Sequence, residues 1–261
     1  MYAFTYSRPA SLAEAVSLLA QDDGAQPLSG GQTLMPVLRA RLAMPGTLVD
    51  LTRLAQLQGV SLEGERIVIG GGTTHAAVAS DPIVREHCPA LAALAGRIGD
   101  PQVRHRGTIG GSVANNDPAA CYPSACLALD AEIRTDRRTI AAADFFTAMF
   151  ETALEPGEMV TGISFPSCQQ AHYEKFANPA SRFALIAVFA AVLNGEVRLA
   201  VTGGGTGVFR WREGEAAAKN DGDLSAAPLD PKYFTSDLHA SDEYRMHLTR
   251  LMARRALDAI G

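Results

Sequence analysis

The chain has 261 residues, a formal net charge of −5 and hydrophobic side chains at 47% of its positions. This length predicts two or three subdomains, and the composition is typical of a soluble globular protein. An acidic balance without a basic cluster argues against nucleic acid as the main partner. The longest apolar run, over residues 183–193, is too short to cross a bilayer, and the first residues do not resemble a signal peptide. We therefore expect no membrane span and a cytoplasmic location.

The cysteines do not indicate a metal site. They form no C-x-x-C pair and no set with histidine at zinc-binding spacing. We expect reduced structural thiols and no ligands for zinc or an iron–sulfur cluster on this chain. The cysteines are Cys88, Cys121, Cys126 and Cys168.

The first 55 residues predict a small α/β unit. A helix is expected over residues 11–20, where Ser11 is a suitable N-cap ahead of an amphipathic pattern. Short strands over 26–28 and 47–51 complete the unit.

The second part of the chain, residues 56–168, mixes strand and helix patterns. The expected elements are a hairpin over 59–72, a helix over 82–96 with a break at Pro89, a loop over 99–106, a helix over 122–130, and strands over 131–135 and 159–165. A Pro-Ser-Cys-Gln segment near residues 166–170 marks a boundary.

The third part, residues 169–261, predicts an antiparallel hairpin and a closing helix. Asn194-Gly195 separates two apolar runs, which is the strongest short-range signal for a type I′ hairpin turn. Residues 211–236 are polar and irregular, so we expect a surface loop. A helix is expected over 241–260, with acidic residues in its first turn and basic residues in its last.

Two glycine-rich segments carry most of the functional information. The first glycine segment is Ser29-Gly30-Gly31-Gln32-Thr33-Leu34, and the second is Thr108-Ile109-Gly110-Gly111-Ser112. Glycine lacks a Cβ and tolerates positive φ, so backbone N–H groups in such turns approach an anion closely. Neither segment has the lysine of a Walker A loop, and the triple glycines at 70–72 and 203–205 lack Rossmann spacing. Two anion sites far apart in sequence suggest one extended ligand with a charged middle.

The residues that flank these segments carry a resemblance to a known family. They are Pro-Leu-Ser-Gly-Gly-Gln-Thr-Leu-Met-Pro over 27–36, Val-Arg-His-Arg-Gly-Thr-Ile-Gly-Gly-Ser-Val-Ala-Asn-Asn-Asp-Pro-Ala-Ala over 103–120, and further stretches over 173–184 and 239–245. On these motifs the chain resembles the FAD-binding medium subunit of the molybdenum hydroxylases, the carbon monoxide dehydrogenase, xanthine dehydrogenase and aldehyde oxidase family. The likeness covers almost the whole chain.

The resemblance implies an α+β fold in three parts. A two-subdomain FAD-binding fold of the PCMH type, made of a small α/β unit (1–55) and a mixed sheet with helices (56–168), is followed by an α+β C-terminal domain with a small antiparallel sheet (169–261). FAD would lie noncovalently in the cleft between the first two parts. The residues that the resemblance places around FAD are Ser29, Gly30, Gly31, Gln32, Thr33, Leu34, Thr108, Ile109, Gly110, Gly111, Ser112, Asn115, Asp117 and Lys175.

The implied roles differ along the cofactor. The two glycine segments would hold the pyrophosphate from either side. Asn115 and Asp117 would bond the ribose or the ring edge, or would cap a turn. Lys175 would place a cation near the flavin with Tyr173 over its face, or would be a solvated lysine beside a core tyrosine. These alternatives stay open from the sequence.

Some positions depart from the family pattern. Cys121 stands where an acid is common, Asp100 where histidine is frequent, and His105 where asparagine is frequent. We expect His75 and His105 to be structural or surface histidines.

The resemblance implies an FAD-carrying electron-transfer subunit. A large subunit would hold the molybdenum–molybdopterin cofactor and a small subunit two [2Fe–2S] clusters, in a dimer of heterotrimers. FAD would take electrons from the clusters and pass them to an external acceptor, so this chain needs no catalytic side chain and no metal ligand. Two alternatives remain: a stand-alone flavin-dependent reductase, which needs an acid to protonate carbon, and a scaffold subunit that has lost FAD.

Overall fold

The computed structural model describes residues 1–220 and 223–261, so residues 221 and 222 of the loop expected over 211–236 lie outside the described residues. The described chain contains three larger sheets and a two-stranded ribbon, each formed from a continuous part of the sequence. Helices cover the sheets, and the cleft described below lies where the three parts meet.

The N-terminal part is a three-stranded parallel sheet with two helices, of which the sequence predicted the first helix and the second and third strands. Its elements are β1 (Thr5–Ser7), α1 (Leu12–Gln21), β2 (Gln26–Leu28), α2 (Leu34–Arg39), β3 (Thr47–Asp50) and a 3₁₀ helix (Ala55–Leu57). β3 lies between β1 and β2. The Ser11 hydroxyl accepts a hydrogen bond from Glu14 N at 3.2 Å, which confirms the predicted N-cap. Ala15 and Leu19 of α1 pack on Val49 and Leu51.

The second part has a five-stranded sheet and a layer of short helices. Its elements are β4 (Val60–Glu63), β5 (Arg66–Gly70), α3 (His75–Ser80), α4 (Pro82–His87), α5 (Pro89–Gly96), α6 (Pro101–Arg106), α7 (Ile109–Asn115), α8 (Tyr122–Ala128), β6 (Glu132–Thr135), β7 (Thr139–Ala141), α9 (Ala142–Phe145), β8 (Phe146–Ala148), β9 (Glu151–Thr152) and β10 (Val160–Pro166). The strand order is β4-β5-β10-β6-β7, and each neighbouring pair is antiparallel. The predicted hairpin and the predicted break at Pro89 are confirmed.

The third part is a four-stranded antiparallel sheet backed by the C-terminal helix. Its elements are β11 (Ala171–Ala177), β12 (Ala184–Leu193), β13 (Glu196–Thr202), β14 (Phe209–Arg210), α10 (Arg212–Asn220), a 3₁₀ helix (Pro231–Tyr233) and α11 (Asp242–Asp258). Asn194 and Gly195 both have positive φ, at 53° and 76°, which confirms the type I′ turn. The Ser241 hydroxyl caps α11 through Tyr244 N at 3.2 Å.

Two expectations about loops are wrong. Residues 99–106 contain α6, because the Asp100 carboxylate accepts a hydrogen bond from Val103 N at 2.8 Å and Pro101 occupies the first helical position. Residues 211–236 begin with α10, which is fixed by a buried Trp211 ring whose Nε1 donates to Pro228 O at 2.7 Å.

The third part is anchored to the second by side-chain bonds to backbone carbonyls. The Arg97 guanidinium, after α5, donates to Tyr173 O at 2.9 Å and to Lys175 O at 3.0 Å. The Thr202 hydroxyl donates to Pro118 O at 2.7 Å. These bonds hold β11 against the end of α5 and β13 against the segment that follows α7.

A cleft between the glycine segments

A cleft of about 630 Å³ lies between the first and second parts, and β11 of the third part reaches its end. This volume is within the range of small-molecule and cofactor sites. The structure brings the predicted site residues together here, with Ile109 as the exception. Those lining the cleft are Ser29, Gly30, Gly31, Gln32, Thr33, Leu34, Thr108, Gly110, Gly111, Ser112, Asn115, Asp117 and Lys175. The Ile109 side chain points into the main hydrophobic core and is fully buried.

The first glycine segment leaves its backbone donors free. It connects β2 to α2 and turns at Gly31, whose φ is +69°. Among the described residues, the backbone N–H groups of 30–34 have no hydrogen-bond acceptor, and the next donor, Met35 N, bonds to Gly31 O at 3.0 Å. A run of unpaired N–H groups beside a cleft is an anion-binding arrangement.

The second glycine segment differs from the expected open turn. It is the start of α7, capped by the Thr108 hydroxyl, and its backbone donors over 109–112 are all bonded within the protein. The bonds run from Ile109 N to Thr73 O at 3.0 Å, from Gly110 N to Gly71 O at 2.9 Å, from Gly111 N to Thr108 Oγ1 at 3.2 Å and from Ser112 N to Thr108 O at 3.0 Å. The expectation that this segment offers free N–H groups to an anion is wrong.

Glycine is required in the second segment for close packing. A Cβ on Gly110 would lie 2.6 Å from Gly71 O, inside the distance that real Cβ atoms keep. The absence of a side chain lets α7 sit directly on the backbone that follows β5. The second segment therefore forms a wall of the cleft that has no side chains at its two glycines.

The two glycine segments touch each other. Ser29 Oγ and Thr108 Oγ1 are 2.9 Å apart and share a hydrogen bond. Next to them, a Cβ on Gly30 would lie 2.2 Å from Arg106 O. The close approach fixes the position of the free donors of residues 30–34 relative to α7.

Asn115, the last residue of α7, and Asp117, just after it, line the cleft. The Asp117 carboxylate accepts a hydrogen bond from Ala119 N at 2.8 Å, so it caps a turn, as one of the two alternatives proposed. Burial raises the pKa of Asp117 above its ordinary value. Within residues 1–220 and 223–261, its second carboxylate oxygen accepts no hydrogen bond.

Lys175 is a buried cation at the far end of the cleft. The residue is 6% exposed, which excludes the alternative of a solvated lysine. Its Nζ donates to Arg97 O at 3.1 Å and lies 3.4 Å from Cys121 Sγ. In the described part of the chain, no carboxylate lies within ion-pair distance of it. A cofactor that carries negative charge or hydrogen-bond acceptors would complement this end.

The sequence did not single out several other cleft residues. Gly71 and Gly72, of which the sequence indicated only that they lack Rossmann spacing, form part of the wall. Glu158 lines the cleft near the first part, and hydrogen bonding from Arg138 lowers its pKa to about 2. No local motif marks these positions, because β5 and β10 bring them to the cleft from distant parts of the sequence.

The two histidines have different environments. His105 is exposed, as expected. His75 is 5% exposed and lines the cleft; burial, and then the charge of Arg104, lower its pKa to about 4. Its Nδ1 has no hydrogen-bond partner in the described structure. His75 is therefore neutral near pH 7.

The described side chains contain no group of three or more His, Cys, Asp or Glu arranged to hold a metal ion. Within the same residues no helix has the length and apolar character needed to cross a membrane. The polar groups of the cleft are instead the free backbone N–H groups of residues 30–34, the buried ammonium of Lys175 and the turn-capping carboxylate of Asp117. This set fits an extended cofactor with a diphosphate, such as FAD.

Comparisons with known proteins agree with this fit. The family described as the FAD binding domain in molybdopterin dehydrogenase matches residues 2–168. The nicotine 6-hydroxylase medium subunit of Paenarthrobacter nicotinovorans is 34% identical over 99% of this chain and 98% of its own length. The carbon monoxide dehydrogenase medium chain of Hydrogenophaga pseudoflava is 34% identical over 98% and 96%.

Solved structures show the same relationship. A carbon monoxide dehydrogenase from Hydrogenophaga pseudoflava that lacks the Mo-pyranopterin moiety of its cofactor superposes with a TM-score of 0.87. It is 32% identical, over 99% of this chain and 97% of that one. These matches confirm the predicted α+β fold class and the resemblance found in the glycine motifs. The chain belongs to the family of FAD-binding medium subunits of molybdenum hydroxylase dehydrogenases.

Proposed function

We propose that this chain carries electrons through FAD, from [2Fe–2S] clusters on a small subunit to an external acceptor. The observation that supports this most is the meeting of the two glycine segments at one cleft, where residues 30–34 present free backbone donors. Bound FAD would supply the redox chemistry, and the chain's own residues would bind, orient and shield it.

We assign the residues of the cleft different tasks. The first glycine segment binds the diphosphate through its free N–H groups, while the second closes the opposite wall. Asn115 and Asp117 accept or donate hydrogen bonds to the ribose or the ring edge. Lys175 places a positive charge beside the flavin, where it favours the anionic reduced ring. Neither segment contains histidine or cysteine, which supports noncovalent attachment.

The proposed complex contains two further kinds of subunit. A large subunit would hold the molybdenum–molybdopterin cofactor and select the substrate, and a small one would hold the [2Fe–2S] clusters, as a dimer of heterotrimers in the cytoplasm. Support comes from relatives that are named medium chains or medium subunits. We propose domain boundaries at 1–55, 56–168 and 169–261, each of which contains one of the larger sheets.

Co-purification tests this function. The chain would be tagged and expressed in its source cells, and its partners identified by mass spectrometry with metal analysis. We expect two companion chains, molybdenum, iron and FAD, and flavin reduction when the substrate of the complex is added without oxygen. A stable lone chain that oxidises NAD(P)H while reducing a small substrate would contradict the proposal and favour a stand-alone reductase.

A further inference from the structure

A cysteine and a lysine lie side by side at the end of the cleft. Cys121 Sγ and Lys175 Nζ are 3.4 Å apart. Cys121 precedes α8, whereas Lys175 is in the middle of β11, so the contact joins two parts of the chain. The residues are 5% and 6% exposed, and both line the cleft.

The surroundings hold these two side chains in place. The Arg97 carbonyl accepts from Lys175 Nζ at 3.1 Å, while the Arg97 guanidinium fixes the Lys175 carbonyl at 3.0 Å. The Cys121 carbonyl accepts from the Ser124 hydroxyl at 2.8 Å. The backbone on both sides is therefore fixed, and the flexible lysine stem can close the remaining distance.

The other cysteines lie in different environments. Burial in the apolar core raises the pKa of the Cys88 thiol to about 12, and it raises that of Cys126 further. Cys168 Sγ lies 3.6 Å from Gln170 O and 3.5 Å from Val192 O. None of these three lines the cleft in the described structure. Cys121 is the thiol that a small oxidant in the cleft reaches.

A buried hydroxyl completes the cluster. Tyr173 is 2% exposed, and its hydroxyl has no hydrogen-bond partner among the described residues. Burial, and next the neighbouring Cys121, raise the pKa of Tyr173 well above its ordinary value. An unsatisfied buried donor is costly, so this hydroxyl is available to an oxygen atom added to Cys121.

We propose that Cys121 and Lys175 form an oxidation site, in which peroxide converts the contact into a covalent sulfur–nitrogen bond. The Cys121 sulfur attacks hydrogen peroxide, the O–O bond breaks, and a sulfenic acid and water form. The Lys175 ammonium releases one proton to solvent, and its neutral Nζ then attacks the sulfur. The S–O bond breaks, and the leaving hydroxide takes a proton from nitrogen as a second water. Sulfur loses two electrons, and one peroxide is reduced to two waters.

The bond is reversible and changes the charge of the cleft. Two molecules of an external thiol restore Cys121 and Lys175 and are themselves oxidised to a disulfide. While the bond exists, Nζ no longer carries the ammonium charge at this end of the cleft. The reaction needs no bound FAD, so its test is independent of the proposed function.

Peptide mapping tests the proposal. The full chain, in whatever assembly it purifies, would be treated with hydrogen peroxide, digested without reductant and analysed by tandem mass spectrometry. We expect the Cys121 peptide joined to the Lys175 peptide, with a mass lower than their sum by two hydrogen atoms. Dithiothreitol should separate them. The same peptides recovered separately after peroxide, or joined through an additional oxygen atom, would overturn the proposal.

Variants test the mechanism even where one of them folds poorly. In Lys175→Met the sulfenic acid has no amine to attack, so dimedone should label Cys121 several-fold more than in the wild type. Cys121→Ser should abolish the joined peptide, and Cys126→Ser, a buried control, should leave it unchanged. Equal dimedone labelling of Cys121 in the wild type and in Lys175→Met would contradict the attack by lysine.

Discussion

Ser29 Oγ and Thr108 Oγ1 share a hydrogen bond of 2.9 Å across the cleft, although 79 positions separate them in the sequence. Thr108 also caps α7 by accepting from Gly111 N at 3.2 Å. The Thr108 hydroxyl therefore caps α7, which forms one wall of the cleft. It also holds the loop of residues 30–34, which carries the free backbone donors. The binding site depends on this contact, because the loop makes no side-chain cap of its own at Thr33.

Thr108→Val should weaken both stability and FAD binding. The change keeps the shape of the side chain but removes the cap and the bond to Ser29, so the free energy of unfolding should fall by about 1–2 kcal/mol. Ser241→Ala is a matched control, since it removes the cap of α11 away from the cleft. Urea titration and FAD titration of both variants check this. The same FAD affinity in both would show that the hydroxyl contact does not position the loop.

Gly31→Ala and Gly64→Ala separate backbone strain from cofactor binding. Both glycines have positive φ, +69° and +62°, so alanine should destabilise each by about 1 kcal/mol. Gly31 is in the free-donor loop, and its Cβ would lie 3.1 Å from Met35 Cγ, whereas a Cβ on Gly64 meets nothing within 4 Å. We expect FAD affinity to fall more than tenfold in Gly31→Ala alone, as measured by fluorescence titration. Equal affinities would place the diphosphate elsewhere.

Glu158→Gln should lower the free energy of unfolding at neutral pH, and the difference from the wild type should disappear in acid. The carboxylate accepts from Arg138 and Thr135, and Arg138 above all lowers its pKa from 4.5 to about 2. A depressed pKa stabilises the fold above about pH 4.5, and this stabilisation is lost as the pH falls towards 2.

The expected loss at pH 7 is about 1–2 kcal/mol, reduced from the full shift because solvent screens the half-exposed Arg138. Urea unfolding at pH 7 and near pH 3 measures it. Glu63→Gln, which breaks a surface pair with Arg134, should have a much smaller effect. A difference between wild type and Glu158→Gln that stays constant down to pH 2.5 would contradict the assignment.

His75 should make the fold sensitive to mild acid. Burial lowers its pKa from 6.5 to about 4, so the folded chain binds this proton at a lower pH than the unfolded chain does. The stability is present above pH 6.5 and is lost as the pH falls towards 4, by about 3 kcal/mol in total. His75→Gln should remove this part of the pH dependence. An NMR titration that gives His75 a midpoint near 6.5 would show that the ring is not buried in solution.

Local signals in the sequence predicted much of the fold. Asn194-Gly195 determines its hairpin through two consecutive positive φ angles, and Ser11 and Ser241 begin their helices through contacts three residues away. Equally local signals at Asp100-Pro101 were available for α6, which we expected to be a loop. Residues 212–220 carry a polar pattern, and their helix depends on packing around Trp211 rather than on a strong local signal.

The sequence predicted part of the lining of the cleft but not its chemistry. The glycine motifs identified some of the residues that line the cleft, because close approach requires glycine whatever the partner. They did not show that Gly110 N bonds to Gly71 O, since Gly71 is 39 positions away and only the folded chain brings it there. The contact between Cys121 and Lys175 was hidden for the same reason.

If the proposed function is right, the cleft between the glycine segments holds noncovalent FAD. The most direct measurement is the identity and amount of flavin released when the purified protein is denatured, determined by chromatography of the protein-free supernatant. We expect a yellow protein that releases FAD in an amount equal to the chain, and Gly31→Ala protein with little flavin. A colourless wild-type protein that takes up no added FAD, or flavin that stays attached to the denatured chain, would contradict it.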